Sequence, residues 1–220
     1  MAKIALSGEL QGIRGKVGTN VYTKSHSGPV LRVKVKGTVT HTPAQTGVRS
    51  NFSRASTGFK NLTPAQVTNW RNYALTVTKK NPVNGKAYHP AAINAFNGLT
   101  SKYLQINPAG TPPLTPPAAS FTGDTITVTA VGGAGVVTFT GSGANAANVK
   151  TEFLVQRLLS QNRLPAYKGY RSKGFLAFAA GSLTGTVVVS SGFYAVGYRF
   201  VNTQTGQETG LITLNIVQVS

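Results

Sequence analysis

The period of the apolar positions changes along the chain, and each change predicts a different element. From Leu31 to Lys36 apolar and basic residues alternate strictly, which predicts a half-buried strand. Leu31, Val33 and Val35 would face one side, and Arg32, Lys34 and Lys36 the other. A solvated sheet face, or an edge strand protected by charge, would show the same pattern.

Two copies of the tetrapeptide Thr-Pro-Ala-Gln, at residues 42–45 and 63–66, predict two helix starts. In each copy Thr is placed to cap the helix, Pro takes the first helical position and Gln the third. A third helix is expected to begin near Pro90. The expected apolar faces are Val48, Phe52, Ala55 and Phe59; Val67, Trp70, Ala74 and Val77; and Ile93, Phe96, Leu99 and Tyr103.

The last hundred residues return to short apolar runs separated by Gly, Asn and Ser turns, which predicts strands. Residues 202–206, Asn-Thr-Gln-Thr-Gly, indicate a hairpin turn between the last two. Seven strands in about 100 residues are typical of an immunoglobulin- or fibronectin-like sandwich. The expected strands are 125–131, 136–140, 151–158, 174–178, 186–189, 193–201 and 211–219.

A proline-rich segment separates the two parts. Five prolines fall within residues 107–117, and proline disfavours both helix interiors and inner strands. We therefore expect an α+β domain of basic strands and two or three short helices over residues 1–106. A stiff linker over 107–117 and an all-β sandwich over 118–220 would follow it.

Charge is divided unequally between these parts. The chain has 22 Lys and Arg but four acids, and 15 of the bases lie in residues 1–105 with Glu9 as the one acid there. Such an excess predicts a partner that supplies negative charge, either nucleic acid or an acidic protein surface. The candidate contacts are Arg14, Lys16, Lys24, Arg32, Lys34, Lys36, Arg49, Arg54, Lys79 and Lys80.

The residues that carry most enzyme chemistry are scarce. The chain has no Cys, and His26, His41 and His89 do not share metal-ligand spacing. Four scattered acids offer no carboxylate pair or triad, so we expect a non-enzymatic protein without metal or cofactor. Gly12 to Val17 resembles a phosphate-binding loop but lacks its first Gly and its Ser or Thr.

Targeting signals are also missing from the pattern. No stretch approaches the roughly 20 apolar residues of a membrane span. The apolar run at residues 4–6 is too short for a signal peptide, so we expect synthesis and folding in the cytoplasm.

The sequence Gly-Ile-Arg-Gly-Lys-Val-Gly-Thr-Asn-Val at residues 12–21 carries a family resemblance. With the basic strand, Thr-Pro-Ala-Gln, Arg49, Phe52 and the stretch from Leu62 to Trp70, it resembles small basic structural proteins of bacteriophages and prophages, notably of Bacteroidota. The resemblance covers about residues 8–105. The C-terminal part resembles immunoglobulin-like modules that phages append to capsid and tail proteins.

This resemblance implies a structural component of a virion, such as a minor capsid, decoration or connector protein. Its expected partners are capsid, neck or tail subunits in a homo- or hetero-oligomeric assembly, with packaged DNA as a further candidate. Two alternatives stay open. One is a nucleoid-type protein that binds DNA through phosphates without reading sequence. The other is a host-surface or glycan-binding module, with Tyr167, Tyr170, Tyr194 and Tyr198 as stacking platforms.

Overall fold

The protein consists of two compact units that divide between Thr42 and Pro43. The computed structural model describes residues 2–3, 15–26, 28–34, 42–80 and 85–220. Arg14, Lys36 and His41 lie outside the described residues. Among the described helices, none combines the length and the apolar character needed to cross a membrane.

The first unit contains an antiparallel sheet of four strands. These are β1 (Ala2–Lys3), β2 (Gly15–Val17), β3 (Asn20–Ser25) and β4 (Gly28–Val33), in the order β1-β4-β3-β2. Gly18, at φ 57°, lies in the tight turn between β2 and β3, where a left-handed backbone favours glycine.

The predicted basic strand is present, but its boundaries and its buried side differ from the prediction. Strand β4 ends at Val33, and the next residue, Lys34, donates its backbone N–H to the Thr19 carbonyl at 2.6 Å. The buried position is Val30, whereas Val33 is 68% exposed. The strand begins at Gly28, three residues before the predicted start. Because side chains alternate along a strand, the buried Val30 lies on the same side as Arg32, and Leu31 and Val33 lie on the other side.

The second unit begins with helix α1 (Pro43–Lys60) and helix α2 (Pro64–Thr76). Both start at the proline of the repeated tetrapeptide, as predicted. At α2 the Thr63 hydroxyl accepts from the Gln66 N–H, and the Gln66 side chain accepts from the Thr63 N–H, which completes the capping box.

Helix α3 (Ala92–Ile106) follows a short hairpin of β5 (Lys79–Lys80) and β6 (Ala87–Tyr88). It starts two residues after Pro90. The helices share a core in which the Phe96 ring meets Trp70 at 5.0 Å and Phe59 at 5.5 Å, both edge to face. Aromatic packing therefore holds the three helices together.

Two of the predicted helix faces are confirmed only in part: Ala55 and Phe96 are fully buried, whereas other predicted positions are exposed. Val48 and Phe52 are both more than half exposed, and the first eight residues of α1, 43–50, are exposed on every side. In α3 the fully buried apolar side chains are Phe96 and Leu104, whereas Ile93 is exposed. For α2 the prediction is confirmed at Trp70, which is 1% exposed.

All seven strands predicted for the C-terminal part are present. The region is therefore mostly β, and the whole chain combines three described helices with several antiparallel sheets. The strands are β7 (Val128–Gly132), β8 (Val136–Gly141), β9 (Val149–Leu158), β10 (Arg171–Leu176), β11 (Thr184–Val188), β12 (Gly192–Asn202) and β13 (Ile212–Val219).

These strands form two sheets that bury one core between them. One sheet has the order β11-β8-β7, and the other the order β10-β9-β12-β13. Phe139 of the first sheet stacks on Phe153 of the second at 4.3 Å. Val137, Val196 and Val219 lie in the same fully buried cluster. Apolar burial between the sheets is therefore the main source of stability of this region.

The proline-rich segment lies against the helices. The Arg54 guanidinium donates to the carbonyls of Pro108 and Gly110, at 2.5 and 2.8 Å. The Trp70 indole N–H donates to the Leu114 carbonyl at 3.0 Å. The domain scheme of 1–106, 107–117 and 118–220 stays a prediction; in the structure this segment is bonded to α1 and α2.

The hairpin between β12 and β13 contacts helix α3. Gly206, at φ 73°, lies so close to the helix that an added Cβ would overlap the Leu99 carbonyl oxygen and the Tyr103 nitrogen. The Asn107 side chain donates to the Thr203 carbonyl of the same hairpin at 2.9 Å. The hairpin therefore joins the two-sheet region to the helices.

We expect Gly206→Ala to destabilise the protein more than Gly135→Ala. Both positions have a left-handed backbone, which costs an alanine about 1–2 kcal/mol. A Cβ at Gly135 meets nothing closer than 3.9 Å, whereas at Gly206 it overlaps α3 and adds about 1–3 kcal/mol of overpacking. Urea denaturation of the two variants measures the difference, and equal losses would show that the hairpin does not press on the helix.

Candidate interaction surfaces

The first unit presents two of the predicted basic residues on one face of its sheet. Lys16 on β2 and Arg32 on β4 both pair in register with Val21 on β3. Residues paired across neighbouring strands share a face, so the two Cα atoms lie about 10 Å apart, at about 4.8 Å per strand. Both side chains are exposed. The structure therefore brings Lys16 and Arg32 together as a pair of exposed cations, on the side of the sheet that also carries Val30.

The other predicted contacts in this unit are placed less fully. Lys34 is exposed directly after β4, and Lys24 lies on β3. Arg14 and Lys36 fall outside the described residues. Their assignment as contacts stays a prediction.

The remaining predicted contacts belong to the second unit. Lys79 and Lys80 form the exposed strand β5, and Arg49 is exposed in the N-terminal half of α1. Arg54 is different, because its guanidinium is bonded to the proline-rich segment. Arg54 therefore holds residues 108–110 against α1, a role that charge counting did not predict.

A groove of about 1160 Å³ lies between the helices, the proline-rich segment and the β12–β13 hairpin. Its walls are mixed, with Tyr73 and Leu99 beside the polar side chains of Asn72, Ser101 and Gln105. Burial raises the pKa of Tyr73, although a hydrogen bond with Gln207 acts in the opposite direction. The groove is thus a partly apolar surface with amide and hydroxyl groups.

A cluster of four charged side chains lies at one end of this groove. Lys102 of α3 contacts Glu152 of β9 at 3.1 Å and Glu208 at 3.2 Å. Arg199 of β12 pairs with Glu152 and contacts Glu208 at 2.9 Å. The Lys102 ammonium also lies 5.5 Å from the centre of the Phe175 ring. We call Lys102, Glu152, Arg199 and Glu208 the charge cluster.

The charge cluster is electrostatically satisfied. Burial alone would raise the pKa of Glu152, but the hydrogen bond from Arg199 and the charge of Lys102 outweigh it, so this pKa lies below its usual value. Burial would lower the pKa of Arg199, but its hydrogen bond and ion pair with Glu152 hold that pKa above its usual value. Glu152 and Arg199 therefore stay ionised near neutral pH, and the charge cluster joins α3 to the sheet of β10, β9, β12 and β13.

The cluster and its surroundings offer little for catalysis. Glu152 has no exposed surface and faces two cations, which makes it a poor general base. His89 is exposed, with its ring nitrogen Nδ1 3.0 Å from the Val77 carbonyl oxygen. Within the described ranges no three His, Cys, Asp or Glu side chains come together as metal ligands. The expectation of a non-enzymatic protein stays a prediction.

Three of the four tyrosines considered as glycan platforms are core residues. Tyr170, Tyr194 and Tyr198 are all buried, whereas Tyr167 is 73% exposed. A stacking surface built from the four together is therefore not present on the folded protein.

The comparisons with known proteins give little beyond this geometry. No protein-family model and no curated protein matches the chain. Among solved structures, the chain is similar to Bacillus amyloliquefaciens CBM33 in complex with Cu(I) after photoreduction, with a TM-score of 0.29 and 17% sequence identity. The match covers 42% of this chain and 56% of that chain, so the chain spans little more than half of that neighbour. A likeness this weak carries no information on activity or cofactor.

One charged region was missing from the sequence candidates. Arg157, Arg171 and Lys173 line a small pocket at one end of the two-sheet region. The sequence contained a signal for this region: alternation along the predicted strand 151–158 places Arg157 on the same face as Phe153 and Val155. Arg157 is exposed, so its position on the core side of the strand indicates that the core ends there.

We expect Glu152→Gln to destabilise the protein by about 3–5 kcal/mol, since it leaves two cations without their buried partner. Glu208→Gln is the matched control. Its side chain is 38% exposed, so its loss should cost about 1 kcal/mol or less. Urea denaturation at neutral pH measures both, and similar losses for the two variants would contradict the role of the buried carboxylate.

The same pair of variants tests the pH dependence. Because the pKa of Glu152 is lowered on folding, its contribution is present above its ordinary pKa and is lost as pH falls through the folded value. The unfolding free energy of the native protein should therefore fall below about pH 4.5, and that of Glu152→Gln should fall less steeply. Parallel curves would show that Glu152 does not carry this dependence.

Proposed function

We propose that this chain is a non-enzymatic structural component of a bacteriophage virion, such as a minor capsid, decoration or connector protein. It is made in the host cytoplasm and docks through its basic N-terminal part onto acidic surfaces of neighbouring subunits. The phage assignment is supported by the resemblance of residues 8–105 to small basic phage structural proteins.

The main support for the docking function is that the described acidic side chains are all bonded within the fold. Glu152 and Glu208 are engaged in the charge cluster. Asp124 accepts hydrogen bonds from the N–H groups of Thr125 and Ala146 and from the Asn145 side chain. The fourth acid, Glu9, lies outside the described residues. Three of four acids thus act within the fold, and 22 bases must find most of their neutralising charge elsewhere.

The arrangement of the C-terminal strands supports an immunoglobulin- or fibronectin-like sandwich. In that architecture strands A, B and E share one sheet, and strands C, F and G share the other. Here the first, second and fifth strands, β7, β8 and β11, form one sheet, and the third, sixth and seventh lie in the other. The fourth strand, β10, departs from the constant-type immunoglobulin order, in which strand D joins A, B and E, because it pairs beside the third strand in the other sheet.

A tyrosine at the start of the sixth strand supports the same assignment. The buried Tyr194 side chain donates its hydroxyl to the Ser190 carbonyl, four residues earlier, at 2.8 Å. Immunoglobulin-like domains carry such a tyrosine corner at the same place. In a virion such a module would be displayed or would bridge subunits.

We expect the double variant Lys16→Gln/Arg32→Gln to be incorporated into particles several-fold less than the native protein, because it removes the paired cations of the sheet face. The control is Arg163→Gln/Lys168→Gln, which removes the same charge types from an exposed loop of the sandwich region. Quantitative mass spectrometry of gradient-purified particles measures incorporation. An equal loss of incorporation in both variants would show that incorporation depends only on net charge, and would contradict docking by the N-terminal part.

The native protein itself gives the broader test. It should appear in purified particles at a fixed ratio to the major capsid protein, and its presence in the infected-cell lysate alone would overturn the virion assignment.

Contact with packaged DNA would show in the salt dependence of DNA binding. Neutralising about five duplex phosphates would give a slope of about −4.5 for log K against log salt.

A further inference from the structure

A small pocket at one end of the two-sheet region is surrounded by cations. It has a volume of about 300 Å³, at the lower end of the range for ligand sites. Arg157, Arg171 and Lys173 line it together with Ser190 and Tyr194, and none of its lining residues is acidic. We call this the end pocket.

The strands fix the positions of the three cations. Arg157 on β9 pairs in register with the buried Tyr194 of β12, so it occupies a core-facing position where the core ends. Arg171 pairs with the buried Val155 and therefore points toward the same face. The pairing register shifts between Ser172 and Gly174, which leaves Lys173 as the extra residue of a β-bulge. Bulges commonly redirect a side chain in this way.

Neighbouring backbone holds the arginines in place. One Arg171 nitrogen donates to the carbonyls of Lys168 and Tyr170, at 2.9 and 3.3 Å. A nitrogen of Arg157 lies 3.5 Å from the Ser191 carbonyl oxygen. A guanidinium has five N–H donors, so each arginine keeps donors for a ligand while its position is restrained.

The rim of the pocket adds neutral hydroxyl groups. The Ser190 and Tyr194 hydroxyl oxygens are 3.0 Å apart. Gly169 also lines the pocket, and it lies so close to Gln156 that an added Cβ would overlap that side chain. A compact, restrained set of cations and hydroxyls matches a single oxyanion better than an extended polymer.

The geometry points to the end pocket as a binding site for one tetrahedral oxyanion, a phosphate or sulfate group, held by Arg157, Arg171 and Lys173. The ligand would carry this group at a terminus, because a pocket of about 300 Å³ holds the anion and a small attached group rather than an extended chain. The site lies outside the proposed docking surface and does not depend on the virion assignment. A competing explanation is that inward charges protect the edge strand β10 from pairing with another chain.

The test is a titration of the full-length protein with inorganic phosphate and, separately, with inorganic sulfate, at constant ionic strength maintained with sodium chloride. The amide signals of Gly169 and Gly192 in ¹H–¹⁵N NMR spectra report on the pocket. We expect saturable binding of one anion per chain. Arg157→Gln and Arg171→Gln should each weaken it about tenfold, the effect of losing a hydrogen bond to a charged group.

Two variants of the same charge change are the controls. Arg163→Gln and Lys168→Gln remove exposed cations that do not line the pocket, and each should change affinity less than about twofold, as screened surface charges do. Lys173→Gln keeps the test decisive if an arginine variant fails to fold, because this exposed side chain can be replaced without disturbing the core. It too should weaken binding.

Tighter binding of phosphate would identify a phosphomonoester ligand, and tighter binding of sulfate a sulfated one; both outcomes support the site. Shifts that grow without saturation would overturn it, and so would an equal loss in Arg163→Gln. A short DNA duplex that competes with phosphate and loses affinity in the Arg157 and Arg171 variants alone would overturn the small-ligand assignment.

Discussion

The carboxylate of Glu152 lies with no exposed surface between two cations that come from different parts of the fold. Lys102 brings helix α3 to it, and Arg199 is its cross-strand partner on β12. A buried carboxylate without such partners would be too costly to keep ionised. The position of α3 against the sheet of β10, β9, β12 and β13 and the burial of Glu152 therefore depend on each other.

This dependence gives the scarce acids a structural role. Glu208 closes the charge cluster from the hairpin side, and Asp124 fixes the loop that contains Asn145 and Ala146. Because these three carboxylates act inside the fold, the acids of the chain cannot balance its 22 Lys and Arg side chains. The excess charge is then a property of the surface, and in the proposed function an acidic neighbouring subunit neutralises it.

Patterns among neighbouring residues predicted the helices and strands well. The burial of individual side chains and the ion pairs depend on contacts between residues that are distant in the sequence. The capping box at Thr63 and the strand at residues 151–158 follow from neighbours in sequence, and both are present. The exposure of Val48 and Phe52 could not be predicted, because helical periodicity does not reveal how far a helix extends past its packing partners. Nor could the charge cluster, since Lys102 and Glu152 lie fifty residues apart. The hydrogen bonds from Arg54 to the carbonyls of Pro108 and Gly110 could not be predicted either, because they join positions far apart in the sequence.

The central claim is that the charge cluster makes the helices and the two-sheet region one cooperative structure. Native-state hydrogen exchange of the full-length protein tests it most directly, since amides that open together share one opening free energy. The buried amides of α3 and those of β9 and β12 should exchange with the same free energy and the same urea dependence. Exchange of α3 at a free energy several kcal/mol lower than that of β12 would contradict the claim.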